Sequence, residues 1–133
     1  MNSIEMFQEQ SMAPSKNVYG EPLLPCCFAP TTGFFRDGSC NTTQQDIGKH
    51  LVCAKMTTEF LEFSKKQGND LSTPQPQFDF SGLVDGDWWC LCVLRWIEAY
   101  EHNKAPQIKL SSTHQETLKY VSLDILEKFN EDN

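Results

Sequence analysis

Six cysteines and three histidines stand out among 133 residues as side chains able to do chemistry. The cysteines are Cys26, Cys27, Cys40, Cys53, Cys90 and Cys92. Thiolates and imidazoles suit zinc or copper(I), so Cys40, His50, Cys53, Cys90 and Cys92 are candidate metal ligands. Spacing gives that idea thin support, because no Cys-x2-Cys pair occurs. On a helix Cys90 and Cys92 would project about 200° apart and could not reach one ion. They converge only if Cys90 precedes the first turn. His50 and Cys53 would converge on a helix and diverge on a strand. The competing reading is six buried thiols acting as small apolar side chains.

A nucleophilic or redox cysteine is the second chemistry. A helix beginning after Asp87 would carry Cys90 in its first turn, where free N–H groups and the helix dipole favour a thiolate. Asp87 opposes this with its own negative charge. His114 or His50 could serve as the partner base, which makes Cys90 and His114 the candidate catalytic residues. The third chemistry is a polar ligand pocket built from Arg36, Asp37, Asn69, Asp70 and Arg95. Arg95 lies in an apolar stretch, and a buried guanidinium needs a carboxylate or a ligand. An internal salt bridge to Asp37 or Asp70 is its plain structural reading, and Asn69-Asp70 reads first as a helix stop and turn. Asp85 and Asp87 read as capping carboxylates rather than a catalytic dyad. Phosphate-loop, dinucleotide-binding, nucleophile-elbow and His-Glu-x-x-His signatures are all absent from the sequence.

These groups need elements to position them. Thr57 can cap a helix over about 58–67, with Glu59 in its first turn, Phe60, Leu61 and Phe63 inward, and Gly68-Asn69 ending it. Asp87 can cap a longer helix over about 88–102, apolar nearly all round at first and therefore central and buried. The run 51–56 is a strand or the lead into a helix, and periodicity cannot separate the two. Thr32 to Gly38 reads as a short aromatic strand entering an Asp-Gly turn. Ile108 and Leu110 alternate as a strand would, and helical turns are expected near 113–120 and 122–130. Phe34, Phe35, Trp88, Trp89 and Trp96 are expected core aromatics. The result is an α+β fold: a single compact domain over 17–133, preceded by a flexible leader over 1–16.

Composition narrows the partners. The net charge is −7, from 18 acidic against 11 basic residues. With Lys65-Lys66 the only adjacent basic pair, nucleic-acid binding and anionic membranes are disfavoured. A small molecule, a metal or a protein remains. The N-terminal stretch has neither a basic nor an apolar signal region, and the expected location is cytoplasmic. A reducing cytosol argues for free thiols, metal ligands or redox chemistry rather than a disulfide framework.

Several blocks together resemble a known family. They are Asn17 to Leu23, Thr32 to Gly38, His50 to Ala54, Phe60 to Ser64, Gly68 to Pro74, Trp89 to Cys92 and Thr113-His114. In order and spacing they resemble bacterial proteins grouped as domain of unknown function 2237, over roughly Asn17 to Phe129. The resemblance implies matching positions for Cys26, Cys40, His50, Cys53, Cys90, Cys92 and His114. Cys27 and Ser122 depart from the pattern.

The expectation is a small binding module whose cysteine/histidine site carries a metal, zinc or copper, or a small ligand. The alternatives are a thiol-dependent enzyme or redox protein, and an interaction domain with structural cysteines only.

Overall fold

The computed structural model describes residues 15–131. Most of the expected leader lies outside the described residues. Of its last two, Lys16 bridges Pro22, and its carbonyl accepts from the Gln115 N–H at 2.9 Å.

Strand β1 (His50–Lys55) buries Leu51 to Ala54 completely, which explains its unbroken apolar run. It pairs antiparallel with β2 (Trp88–Cys92), Cys53 lying opposite Cys90 and His50 opposite Cys92. Between the two strands in sequence lies helix α1 (Thr58–Lys66). Thr57 accepts a hydrogen bond from the Phe60 N–H at 3.0 Å, Glu59 opposes the dipole, and Lys65 and Lys66 close the last turn. Helix α2 (Val93–Glu101) follows β2 directly and buries Val93, Trp96 and Ala99, one stripe at helical spacing. The short α3 (Leu123–Glu127) is capped by Ser122, which accepts from the Ile125 N–H.

The central helix therefore starts at Val93, not near 88. Residues 88–92 are apolar on every side, a pattern compatible with both states, and pairing with β1 decides for strand. Thr32 to Gly38 is a chain of turns rather than a strand, with Gly33, Arg36 and Gly38 at φ 100°, 54° and 89°. A Cβ on Gly33 would collide with the Ser39 carbonyl. Ile108 makes single bridges to Ala54 and Asn130 instead of a strand, and Leu110–Ser112 and Gln115–Lys119 are 3-10 turns.

These elements make an α+β fold around one large apolar cluster, with Leu51, Met56, Phe60, Leu91, Trp96, Ile108 and Leu126 fully or almost fully buried. Each such side chain stabilises the fold by about 1.5–3 kcal/mol through the apolar area it removes from water. Trp96 stacks on Tyr100, meets Phe129 edge-on, and donates its Nε1–H to the Pro106 carbonyl at 3.2 Å, so its polar atom is satisfied. A second, smaller cluster holds Cys26, Cys40, Cys53 and Cys90, with Trp88 packed against it. Among the described residues no helix is long and apolar enough to cross a membrane.

Candidate active site at the β2–α2 junction

The pairing of β1 with β2 contains an irregularity between His50 and Val52. Val52 faces Leu91, yet His50 faces Cys92, so β1 carries one extra residue, Leu51, at this point. In a regular ladder Leu51 would stand opposite Cys92. The bulge replaces it with His50, the kind of re-aiming for which bulges are retained beside functional sites. Directly opposite positions on an antiparallel pair bring Cβ atoms to about 5 Å, within hydrogen-bonding reach of a ring and a thiol.

Asp46 completes the arrangement from the preceding turn. Its side chain is fully buried. One carboxylate oxygen accepts from His50 Nδ1 at 2.6 Å; the other accepts from the His50 backbone N–H and from Thr42 Oγ1, each at 3.0 Å. With Nδ1 held by Asp46, Nε2 is the ring atom left for Cys92 Sγ. The turn is closed by the Lys49 N–H on the Asp46 carbonyl and by the Val93 N–H on the Lys49 carbonyl, which ties it to the start of α2. Gly48 is required by space: an added Cβ would lie 2.9 Å from His50 Cε1 and 3.1 Å from Cys92 Sγ. Any larger residue there pushes the ring and the sulfur apart.

The electrostatics follow from this geometry. The Cys92 sulfur facing the ring is the largest influence on His50 and raises its pKa from 6.5 to about 9; burial opposes this, and the Asp46 carboxylate adds to it. Burial alone would raise the pKa of Asp46, but its hydrogen bonds from His50 and Thr42 prevail and lower it. A raised histidine pKa stabilises the fold fully below about pH 6.5, and that contribution is lost as pH climbs through about 9. Ring-proton NMR of His50 should accordingly give a titration midpoint near 9. In Cys92→Ala the midpoint should fall toward 6.5, because the largest cause is gone. An identical midpoint in both proteins would show that the sulfur does not touch the ring.

Cys92 is also the N-cap of α2, and it makes no capping hydrogen bond with its side chain. The start of α2 and the positive end of its dipole therefore sit beside the sulfur of a partly buried Cys92. On its outer side, His50 lines a cavity of about 260 Å³ with Arg36, Leu71, Gln75, Phe78, Phe80 and Trp89. Phe34 stands 6.3 Å from the His50 ring, centroid to centroid.

The other cysteines do something different. Cys26 is disulfide-bonded to Cys53, and Cys40 to Cys90. All four are nearly or fully buried, and the sulfurs of Cys26, Cys40 and Cys90 lie within 4.8 Å of one another. The bonds tie two loops to the paired strands β1 and β2, a structural role, and they bring three of the four sulfurs into one group. The free cysteines are Cys27 and Cys92.

Residues 16–130 match the model of a family described as an uncharacterised protein conserved in bacteria, DUF2237. The chain belongs to this family. A search of curated proteins returned no match.

In this DUF2237 chain the expected site residues separate into distinct places. Of the five proposed metal ligands, Cys40, Cys53 and Cys90 lie in the disulfide cluster, whereas His50 and Cys92 face each other at the far end of the ladder. The five form no common site. Cys90 is 1% exposed and bonded to Cys40, so it offers no thiol, whereas Cys92, two residues on, carries a free one. Of the states left open for the cysteines, four are disulfide-bonded and two are free. His114 is not placed as a base. Its Nδ1 accepts from the Glu116 N–H at 3.0 Å and caps the 3-10 turn, and burial lowers its pKa.

The polar pocket disperses too. Arg95 is not buried: its side chain is 35% exposed, pairs with Glu98 at 3.2 Å and donates to the Gln67 carbonyl. Asp70 is exposed and takes hydrogen bonds from Ser72 and Thr73, the turn its position suggested. Its neighbour Asn69 closes α1 through its carbonyl, which accepts from Ser64 Oγ. Asp37 accepts from the Ser39 N–H and from Asn41. Arg36 alone borders the new site, 5.1 Å over the Trp89 ring.

Asp46 is the residue that sequence reasoning missed. Asp46-x-Gly48-x-His50 was the available signal, a carboxylate one turn from a histidine with a space-demanding glycine between them.

Proposed function

We propose that the protein is a small thiol-dependent acyl-transfer enzyme, with Cys92 as nucleophile, His50 as general base and acid, and Asp46 as the residue that positions His50. One observation carries this reading: the His50 ring is held by a fully buried carboxylate at 2.6 Å while it faces Cys92 across the ladder. Nucleophile, base and orienter in that order are the parts that activated thiols share, whatever fold presents them.

In the reaction, Cys92 Sγ attacks the carbonyl carbon of an ester, thioester or amide with its proton already carried on His50 Nε2, in line with a ring that stays protonated up to about pH 9. The carbonyl becomes an oxyanion beside the first-turn N–H groups of α2. Collapse expels the leaving group, which receives the proton from His50, and a thioester on Cys92 remains. Water, deprotonated by the same ring, hydrolyses it and restores the thiol. The cavity lined by Trp89, Phe80 and Phe78 suits an apolar or aromatic acyl group.

The test is to offer an activated aryl ester and map the acyl adduct by mass spectrometry. A single adduct on Cys92, absent in Cys92→Ser, is the expected outcome. Equal labelling of Cys27 and Cys92 would mean ordinary thiol reactivity and would remove the reading.

A further inference from the structure

We infer that the buried cysteine cluster is a second, separate site: when its two disulfides are reduced, Cys26, Cys40, Cys53 and Cys90 bind one zinc ion. The four thiols come from four separate stretches of chain, yet every one is 0–7% exposed and they share a single cluster. Three of their sulfurs already lie within 4.8 Å of one another, and the fourth, on Cys53, is bonded to one of those three. A tetrahedral tetrathiolate site with Zn–S bonds near 2.3 Å needs sulfur–sulfur separations of about 3.8 Å. Opening the two bonds lets each bonded pair spread to that value; the sulfurs of Cys26, Cys40 and Cys90 need draw in by at most about 1 Å, and Cys53 Sγ, released from Cys26, swings toward Cys40 and Cys90. The Cα atoms, 5.7 Å and 5.3 Å apart in the two pairs, can stay close to where they are.

The anchoring is suited to a fixed coordination geometry. Cys53 and Cys90 face each other on β1 and β2, and their backbone N–H groups donate to the buried hydroxyls of Thr113 and Thr32. The Cys26 N–H donates to the Gly38 carbonyl at 2.7 Å, which holds the loop bearing Cys26 beside the turn that leads to Cys40. Four uncharged thiols in a dry cluster would be a poor use of four polarisable donors, whereas zinc displaces their protons and binds all four.

Electrons and protons balance simply. Each disulfide takes two electrons and two protons from one dithiol, which is itself oxidised to a disulfide. The four thiols then release four protons as Zn²⁺ binds. Cys92 and Cys27 take no part, so the site at His50 keeps its free thiol in both states.

The experiment uses the full chain, reduced anaerobically with a tertiary phosphine and titrated with Zn²⁺, followed by native mass spectrometry after removal of excess metal. One zinc per chain is expected, retained in the Cys27→Ala/Cys92→Ala variant and lost in Cys40→Ala. Because Cys40→Ala could unfold, Co²⁺ is titrated into the reduced wild-type protein as an independent measurement. Intense visible bands of tetrahedral cobalt with near-ultraviolet thiolate charge transfer are expected. No stoichiometric zinc, or a cobalt spectrum of nitrogen and oxygen ligands, would overturn the proposal. So would loss of the metal on removing Cys92. Acyl labelling of Cys92 is read separately, so either site can fail without the other.

Discussion

Asp46→Asn should slow acylation of Cys92 at pH 7 by about 10²- to 10⁴-fold, the range that general acid–base assistance spans. The fold should survive, since an amide oxygen can still accept from the His50 N–H and from Thr42. What changes is the ring. Asp46 now accepts from His50 Nδ1 at 2.6 Å; an amide NH₂ in its place donates to Nδ1 and leaves the proton on Nε2. A protonated Nε2 in a neutral ring cannot take the thiol proton. Asp46 positions His50 rather than touching substrate, so the rate needs a companion measurement. The NMR midpoint of His50 should drop below about 9 in the variant, because the carboxylate contributes to that value. Acidification separates the two proteins as well. The pKa of Asp46 is lowered from 3.8, so its contribution to stability is present above about pH 3.8 and lost as pH falls through the folded value. Asp46→Asn should lack that acid-side loss. Wild-type acylation rates in this variant would remove Asp46 from the site.

Removing the Cys40–Cys90 disulfide should cost on the order of 4 kcal/mol. The two residues are 50 apart in sequence, and a cross-link closing a loop of that length restricts the unfolded chain by about this much in the loop-entropy account. Cys40→Ala/Cys90→Ala tests it without leaving an odd thiol or an unpaired hydroxyl in a cluster that is almost completely buried. The urea midpoint, measured without reductant, should fall sharply, since domains have only about 5–15 kcal/mol to lose. The Cys26–Cys53 bond, with a separation of 27, is worth about 3.5 kcal/mol by the same account. Reduction of both would then remove a large part of the stability, and zinc binding to the freed thiols would restore it, because metal-binding energy in such sites is folding energy. An unchanged midpoint in the double variant would mean that Cys40 and Cys90 are not bonded.

The two sites share one ladder. Cys53 and Cys90 sit at one pairing of β1 with β2, and His50 and Cys92 at another, with the bulge at Leu51 between them. A regular strand would have put Leu51 against the free Cys92 sulfur. One extra residue thus separates a cross-linked cluster from a free thiol that faces a histidine.

The sequence by itself determined the α+β class, the family, and the local elements whose signals lie within a few residues. Thr57 with Glu59 and Gly68 bounded α1, and Ser122 capped α3, because capping is chemistry between near neighbours. It also singled out cysteine and histidine as the side chains from which the proposed site is built. Only the tertiary structure decided how they combine. Whether 88–92 is helix or strand depended on β1, nearly forty residues away, since an all-apolar run carries no period. The disulfide partners could not be read from spacing, because chain separation does not encode which loops meet. His50 and Cys92 become neighbours only through a bulge, which shifts register without leaving a pattern in the residues themselves.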